Sequence, residues 1–523
     1  MVLWGKRNRA LLSCLAVLVV LSGWWALLGA RPATAAQAAE IRIFLNQRPL
    51  VGDVPPYLVP GANVTMVPLR LVSEGIGAGV QWDQATKTVT IRLDGRTIVL
   101  KIGQREAQVD GSPVTLSYPA QVIRGRTMVP LRFVAEQLGL GVEWRQSSRT
   151  ILLSTSEGGA VQLRGAWVAT VYNLDWPSEA AYGNPEKQKQ EFVQLLDELQ
   201  AMGLNAVFVQ VRPAADALYP SELVPWSKAV TGVQGRDPGY DPLAFMIAET
   251  HRRGMQFHAW FNPFRAHTST NTKELDARHV ARTHPEWIVK AGNQLYLNPG
   301  IPEARRHIID VVREVVRRYD VDGVHLDDYF YPTVSFADDD TFRQYNENKI
   351  KNKGDWRRDN INAFIRELGA AVKREKPGVV FGVSPFGVWR NKADDLTGSD
   401  TRAGVTAYDH MYADVRTWIR QEWIDYVAPQ IYWSRSHTAA NYDKLVDWWV
   451  NEVRGTRVML YIGHAPYKLG TNETGWNTAE EIVNQLKYNE RYPEVAGDIF
   501  FSAKDLRRNP LGVIEALRRY YGV

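Results

Sequence analysis

Apolar positions recur along this chain with two different spacings, and the pattern changes near residue 160. From 165 onward, short apolar or alternating runs are separated by longer stretches with apolar residues three or four apart. The short runs predict strands at 165–172, 205–212, 255–262, 322–328, 379–386, 425–433, 457–464 and 498–502. The longer stretches predict amphipathic helices between most of them, such as 186–202, 241–253, 303–319, 356–375 and 478–490. Eight strands alternating with helices predict a (β/α)8 TIM-type barrel with insertions over 165–523. A doubly wound open sheet is the alternative. Such a sheet usually carries a Gly-rich phosphate loop after its first strand, and "VATVYNLDWP" is nothing like one.

Upstream, the pattern repeats itself. "TMVPLRLVSEGIGAGVQWDQATKTVTI" (65–91) matches "TMVPLRFVAEQLGLGVEWRQSSRTILL" (127–153), pairing Met66 with Met128, Arg70 with Arg132 and Trp82 with Trp144. In each copy Pro opens a short helix, Gly ends it and an alternating strand follows. "RLDGRT" and "VDGSPV" supply hairpin turns. Residues 40–155 therefore read as a small, duplicated α+β module, joined to the barrel by a polar linker at 156–164. The VPLR…G…V.W pattern, present twice, resembles the copper amine oxidase-like N-terminal (stalk) domain of bacterial secreted proteins. The resemblance implies a spacer or an envelope-binding module. It does not imply copper, because no cluster of His, Cys or Met offers copper donors here.

Residues 1–39 change how the composition reads. Lys6, Arg7 and Arg9 precede an apolar stretch from Ala10 to about Ala30, and small residues follow in "ATAAQAAE". This is the pattern of a secretory signal, or of an N-terminal anchor if retained. The expected location is extracytoplasmic, secreted or held at the cell envelope. The segment holds four basic residues and no acidic ones, which leaves 58 basic against 57 acidic in the rest. That near-neutral balance gives no electrostatic footprint for nucleic acid, so no nucleic-acid partner is expected. Cys14 is the only cysteine, and it lies inside this segment. The exported chain is expected to have no disulfide, no thiol nucleophile and no thiolate metal site. The 18 Trp suit core packing and also stacking against sugar rings.

In a barrel of this kind the chemistry belongs at the C-terminal strand ends, and polar and aromatic residues collect there. "VFVQVRP" ends in Arg212 with Phe208 and Gln210 on the same face. "FHAWFNPFR" offers His258, Trp260, Asn262 and Arg265. "APQIYW" offers Gln430 and Tyr432. "VDGVHLDDYFYP" (321–332) is the sharpest. Alternation puts Gly323, His325 and Asp327 on the inner face, with Asp328 where the strand loosens into a loop and Tyr329 beyond it. Two carboxylates in different environments are what glycoside cleavage needs: one ionised beside the anomeric carbon, one protonated to serve the leaving oxygen. The plainer alternative makes Asp328 a turn or capping residue.

At these residues a family resemblance becomes specific. "FVQVRP", "HAWFNPFR", "DGVHLDDYFYP" and "APQIYW", over roughly 164–500, resemble the glycosyl hydrolase-like 10 family of bacterial envelope proteins. The resemblance implies a (β/α)8 barrel, hydrolysis of glycosidic bonds without a cofactor, and a polysaccharide partner such as peptidoglycan glycan strands stripped of peptide. "DGVHLD" is also similar to the fourth-strand "DG…D" pattern of several glycosidase barrels, which implies that Asp327 is the nucleophile or a substrate-orienting carboxylate. No Glu stands at the end of any later candidate strand, which leaves the acid to Asp328 first and Asp216 second. Sugar-binding candidates are Arg212, His258, Trp260, Asn262, Arg265, His325, Tyr329, Gln430 and Tyr432; Tyr331 and Trp433 are further aromatics, the latter of the wrong parity.

Three rivals remain at this point. A metal hydrolase would converge His258, His325, His464 and Asp327, but no His-x-His or His-x-x-x-His spacing occurs, and no metal is expected. Ser384 or Ser502 as nucleophile lacks a Gly-x-Ser-x-Gly turn. A non-catalytic envelope glycan-binding or structural protein would use the aromatics and Arg without needing Asp327.

Overall fold

The computed structural model describes residues 41–45, 48–50, 52–93, 95–145, 149–155 and 162–523. The expected signal or anchor (1–39) and most of the linker lie outside the described residues. Among the described residues no helix is long and apolar enough to cross a membrane.

The duplicated module forms three small sheets. The two copies meet where Val64–Pro68 pairs antiparallel with Arg126–Pro130, Val67 opposite Val129 and Met66 opposite Pro130. Each of these strands runs through its Pro directly into a seven-residue helix, Leu69–Gly75 or Leu131–Gln137. Pro at the helix entrance forfeits no helical hydrogen bond. Gly77 and Gly139 then turn the chain with positive φ, as the stop of each helix requires. Starting within the first copy, Gly79–Asp83 begins a five-stranded antiparallel meander that runs to Ser112–Thr115, and its Asp110–Gly111 turn has positive φ at both central residues. The module has its own apolar cluster around Val67, Val72, Ile91, Val129 and Ile151.

Residues from 163 onward form a closed barrel of eight parallel strands. They are β1 (Leu163–Val168), β2 (Ala206–Arg212), β3 (Gln256–Phe261), β4 (Gly323–Leu326), β5 (Val380–Val383), β6 (Tyr426–Val427), β7 (Met459–His464) and β8 (Val495–Phe500). The outer ring is α1 (Pro185–Ala201), α2 (Pro242–Arg252), α3 (Pro302–Arg318), α4 (Lys353–Glu375), α5 (Val415–Arg420), α6 (Tyr442–Val453), α7 (Glu480–Asn489) and α8 (Val513–Tyr521). Asn184 and Asp241 cap α1 and α2, accepting from Lys187 N at 3.1 Å and Ala244 N at 3.0 Å, with Pro next in each case.

Every predicted strand exists, and several are shorter than predicted: the first ends at Val168, the fourth spans only Gly323–Leu326, and the fifth and sixth are cut short most clearly. The sixth was expected over 425–433 but pairs only at Tyr426–Val427, and the fifth stops at Val383. Pro429 and Pro385 have no N–H to give the ladder. The line resumes as single bridges from Gln430 to Phe386 and Gly463.

Strand alternation builds two layers. Val207, Val209, Val324 and Leu326 face the helices, in the main core. Trp167, Phe208, Trp260, Tyr426 and Tyr461 fill the barrel interior. The interior rings need gaps opposite them. A Cβ on Gly323 would lie 2.2 Å from His258 Nδ1, and one on Gly382 would lie 2.4 Å from the Tyr426 ring. Gly is the residue that permits such an approach.

Candidate active site

Three layers of β3 and β4 side chains stack toward the C-terminal mouth. His258 is deepest, opposite Gly323; Trp260 lies opposite His325; Asn262 and Asp327 follow where the strands end. His258 is buried, stacked on Phe208 with centroids 4.3 Å apart, and its Nε2 is 3.0 Å from Gln256 Oε1. His325 accepts from Trp167 Nε1 at 2.9 Å, and its Nδ1 lies 2.9 Å from the Tyr426 hydroxyl. Burial holds its pKa well below the usual value, so it is a neutral ring with both nitrogens engaged. Both histidines were expected to meet substrate. They form the floor beneath the mouth instead, because the interior is wide enough for rings at depth.

Above that floor opens a cleft of about 330 Å³, lined by Trp260, Arg265, Asp327, Asp328, Tyr329, Gln430 and Tyr432 among others. Asp327 is only 6% exposed and Asp328 9%. Trp260 Nε1 and Asn262 Nδ2 both donate to Asp327 Oδ2, at 3.1 and 2.9 Å. The other oxygen, Oδ1, is buried without a hydrogen-bond partner. Burial pushes the Asp327 carboxyl up to about 6, while the Arg265 charge and the donors on Oδ2 pull it back. Burial pushes Asp328 up to about 7, and the charge of Asp327 adds to that. The hydrogen bond from Gln430 works in the opposite sense on Asp328. The two titrate as a pair, and these environments favour ionisation at Asp327 and proton retention at Asp328.

Other expected ligands sit elsewhere. Asn262 does not line the cleft. It donates to Asp327 and its Oδ1 accepts from Arg265 N at 2.9 Å, so it orients the carboxylate from behind. Arg212 leaves the inner face altogether. The register shifts between Gln210 and Arg212, which pairs with Phe261 of the helix-facing layer. Its guanidinium is fully buried with no hydrogen-bond partner, and burial lowers its pKa to about 10. A bulge resets alternation, and no residue in "VFVQVRP" announces one. Tyr331 is buried against Phe336 and Tyr412, and Trp433 packs edge-on against Phe386. Asp216 lines a neighbouring depression and not the cleft. His464 bonds Gln485 and Asp498, and Ser502 bonds Asp175, so neither stands free as a ligand or nucleophile.

The cleft also uses residues that are not among the site candidates singled out in the sequence. Phe386, Tyr467 and Phe501 line it from the loops after β5, β7 and β8. The aromatic ends of "GHAPY" and "IFFS" were the available signal. Their grouping depends on how those loops fold over the mouth.

Comparison with known proteins places this geometry in a family. Residues 162–478 match Glycosyl hydrolase-like 10, and residues 44–153 match the Copper amine oxidase N-terminal domain. Glycosyl hydrolase YngK of Bacillus subtilis (strain 168) is 53% identical over 364 residues, 68% of this chain and 71% of that one. Glycosyl hydrolase DigH of Escherichia coli (strain K12) is 46% identical over 374 residues, 66% of this chain and 84% of that one. Among solved structures, the PgaB (BpsB) glycoside hydrolase domain from Bordetella bronchiseptica is similar with a TM-score of 0.42 at 14% identity, covering 69% of this chain and 99% of that one. The chain belongs to the Glycosyl hydrolase-like 10 family.

Proposed function

We propose that this glycoside hydrolase acts outside the cytoplasm on a cell-envelope polysaccharide, with peptide-stripped peptidoglycan glycan strands as its substrate. Asp328 donates its proton to the leaving glycosidic oxygen, and the Asp327 carboxylate faces the positive charge that develops at the anomeric carbon. Asn262 and Trp260 hold Asp327 in place. Arg265, Gln430, Tyr329 and Tyr432 meet the sugar. The observation that carries this reading is the buried carboxylate pair at the cleft floor, whose environments separate an ionised member from a protonated one. The choice of envelope glycan rests on the family resemblance and on the export-type N-terminus. By the same reasoning, the duplicated module attaches the enzyme to the envelope.

The test is to incubate the purified chain with stripped peptidoglycan strands and with chitin oligomers, and to identify new ends by mass. Cleavage of the first and not the second is expected. Binding of glycan with no new ends, equal for the chain and for Asp327→Asn, would replace this reading with a non-catalytic binding protein.

A further inference from the structure

A second depression adjoins the cleft. It holds about 180 Å³ and lies among the loops after β1 and β2 and the start of the segment after β3. Val171 lines both spaces. The wall between them is thin: Arg265 on the cleft side donates from Nε at 3.0 Å to the carbonyl of Pro213, which lines the depression. We propose that this depression is a second sugar subsite, taking an uncharged pyranose ring of the same glycan whose scissile bond lies in the cleft. The proposal rests on the glycosidase reading for what fills the cleft.

The chemistry is that of a ring with polar edges and apolar faces. At the polar end His267 is 3% exposed and its Nε2 has no hydrogen-bond partner. Asp216 also lines the depression, buried, with Oδ1 accepting from Ala214 N at 3.0 Å, Oδ2 reached by Gln234 Nε2 at 3.4 Å, and a further hydrogen bond from the Ser227 side chain. Both can bond sugar hydroxyls, and a buried polar atom gains most from such a partner. Tyr182 and Tyr172 also line the depression, Tyr172 being 63% exposed. Each ring is tethered at its hydroxyl: Tyr182 donates to Asn173 Oδ1 at 2.7 Å, and Tyr172 accepts from Gln294 Nε2 at 3.1 Å. Exposed, tethered aromatic faces suit stacking on a sugar ring. Tyr172 and Asn173 both have positive φ, at 54° and 49°. Backbone strain of this kind concentrates at ligand-binding loops. Charge selects an uncharged ring, since Lys228 at the rim and Arg212 behind Asp216 offset Glu179 and Asp216.

The test compares substrates of different reach. An aryl monosaccharide glycoside occupies the cleft alone; chitotetraose and the peptide-free peptidoglycan tetrasaccharide reach beyond it. His267→Ala and the exposed Tyr172→Ala should each lower kcat/KM on at least one tetrasaccharide about tenfold more than on the aryl glycoside, the loss of one good polar or stacking contact. Equal losses on short and long substrates, or none, overturn the subsite and leave the glycosidase reading standing. If the unmodified chain turns over neither class, calorimetry with the tetrasaccharides decides. Affinity about tenfold weaker in Tyr172→Ala supports the subsite without the hydrolase reading, and unchanged or absent binding overturns it.

Discussion

His325 and Asp327 are two residues apart on one inner face, yet the structure treats them oppositely. His325 lies in the ring-filled interior with a partner for each nitrogen, held neutral by burial. Asp327 lies one layer higher, with one oxygen held by two donors and the other buried without any. A satisfied imidazole at depth can only fill and brace. A carboxylate with an unmet oxygen, raised pKa and a cleft above it is poised to act on something that enters. Burial alone therefore does not mark the chemistry; unmet hydrogen-bonding capacity at the mouth does.

Mutation should separate the two layers most sharply at Asp327. Asp327→Asn is expected to cut kcat on glycan roughly 10³-fold while leaving glycan affinity intact, as measured by turnover and by calorimetry. Full activity of that variant would move the chemistry away from this pair. Asp328→Asn should cost roughly 10²- to 10³-fold on natural glycan but much less on an aryl glycoside, whose leaving group needs little protonation. A loss equal on both substrates would assign Asp328 to orientation.

The pH dependence sharpens the pair further. Asp327 must be ionised and Asp328 protonated, so kcat/KM should follow a bell with its maximum between about pH 6 and 7. Stability runs the other way. Both carboxyls bind protons more tightly folded than unfolded, so their contribution to stability falls as pH rises from about 4 through 7. Asp328→Asn should therefore melt higher than the parent chain at pH 8 and show no such gain at pH 4. The converse result in melting curves would mean that burial does not raise this carboxyl.

Below the mouth, His325→Phe should leave the Trp167 N–H and the Tyr426 hydroxyl without partners. A stability loss of about 2–4 kcal/mol in denaturant melts is expected, with kcat of the folded fraction changed less than about threefold. A catalytic collapse without destabilisation would make His325 part of the chemistry. The smallest effect concerns the duplicated module. Removing residues 40–155 should leave kcat/KM on soluble glycan unchanged while reducing retention on cell-wall sacculi in a sedimentation assay.

Much of this architecture was legible in the chain. Short apolar or alternating runs located all eight strands, and apolar residues three or four apart located helices such as 186–202 and 241–253, which the structure forms as Pro185–Ala201 and Pro242–Arg252. The VPLR repeat announced the duplicated module, and its two copies do pair through Val64–Pro68 and Arg126–Pro130. Alternation along "GVHLDD" put Val324 and Leu326 under the helices and His325 inward, where they lie. Prolines set the actual lengths of β5 and β6 through a rule the sequence also states, though the apolar runs hid it.

What alternation could not express was depth, local slip and company. His258 and His325 share a face with Asp327, and only the closed barrel shows that they lie below the cleft. The bulge after Gln210 sends Arg212 out of the mouth, and neighbouring strands impose it through their register. Asn262 reads as a ligand until Asp327 is seen 2.9 Å away. The chain by itself determined which faces its strands present, because backbone geometry acts between adjacent residues. Which of those inward groups meet a substrate, and which brace one another, depended on contacts between residues some 65 to 160 positions apart, such as Asn262 with Asp327 and Trp167 with His325. Only the closed barrel brings those together and excludes water from around them, and that exclusion raises the two carboxyls.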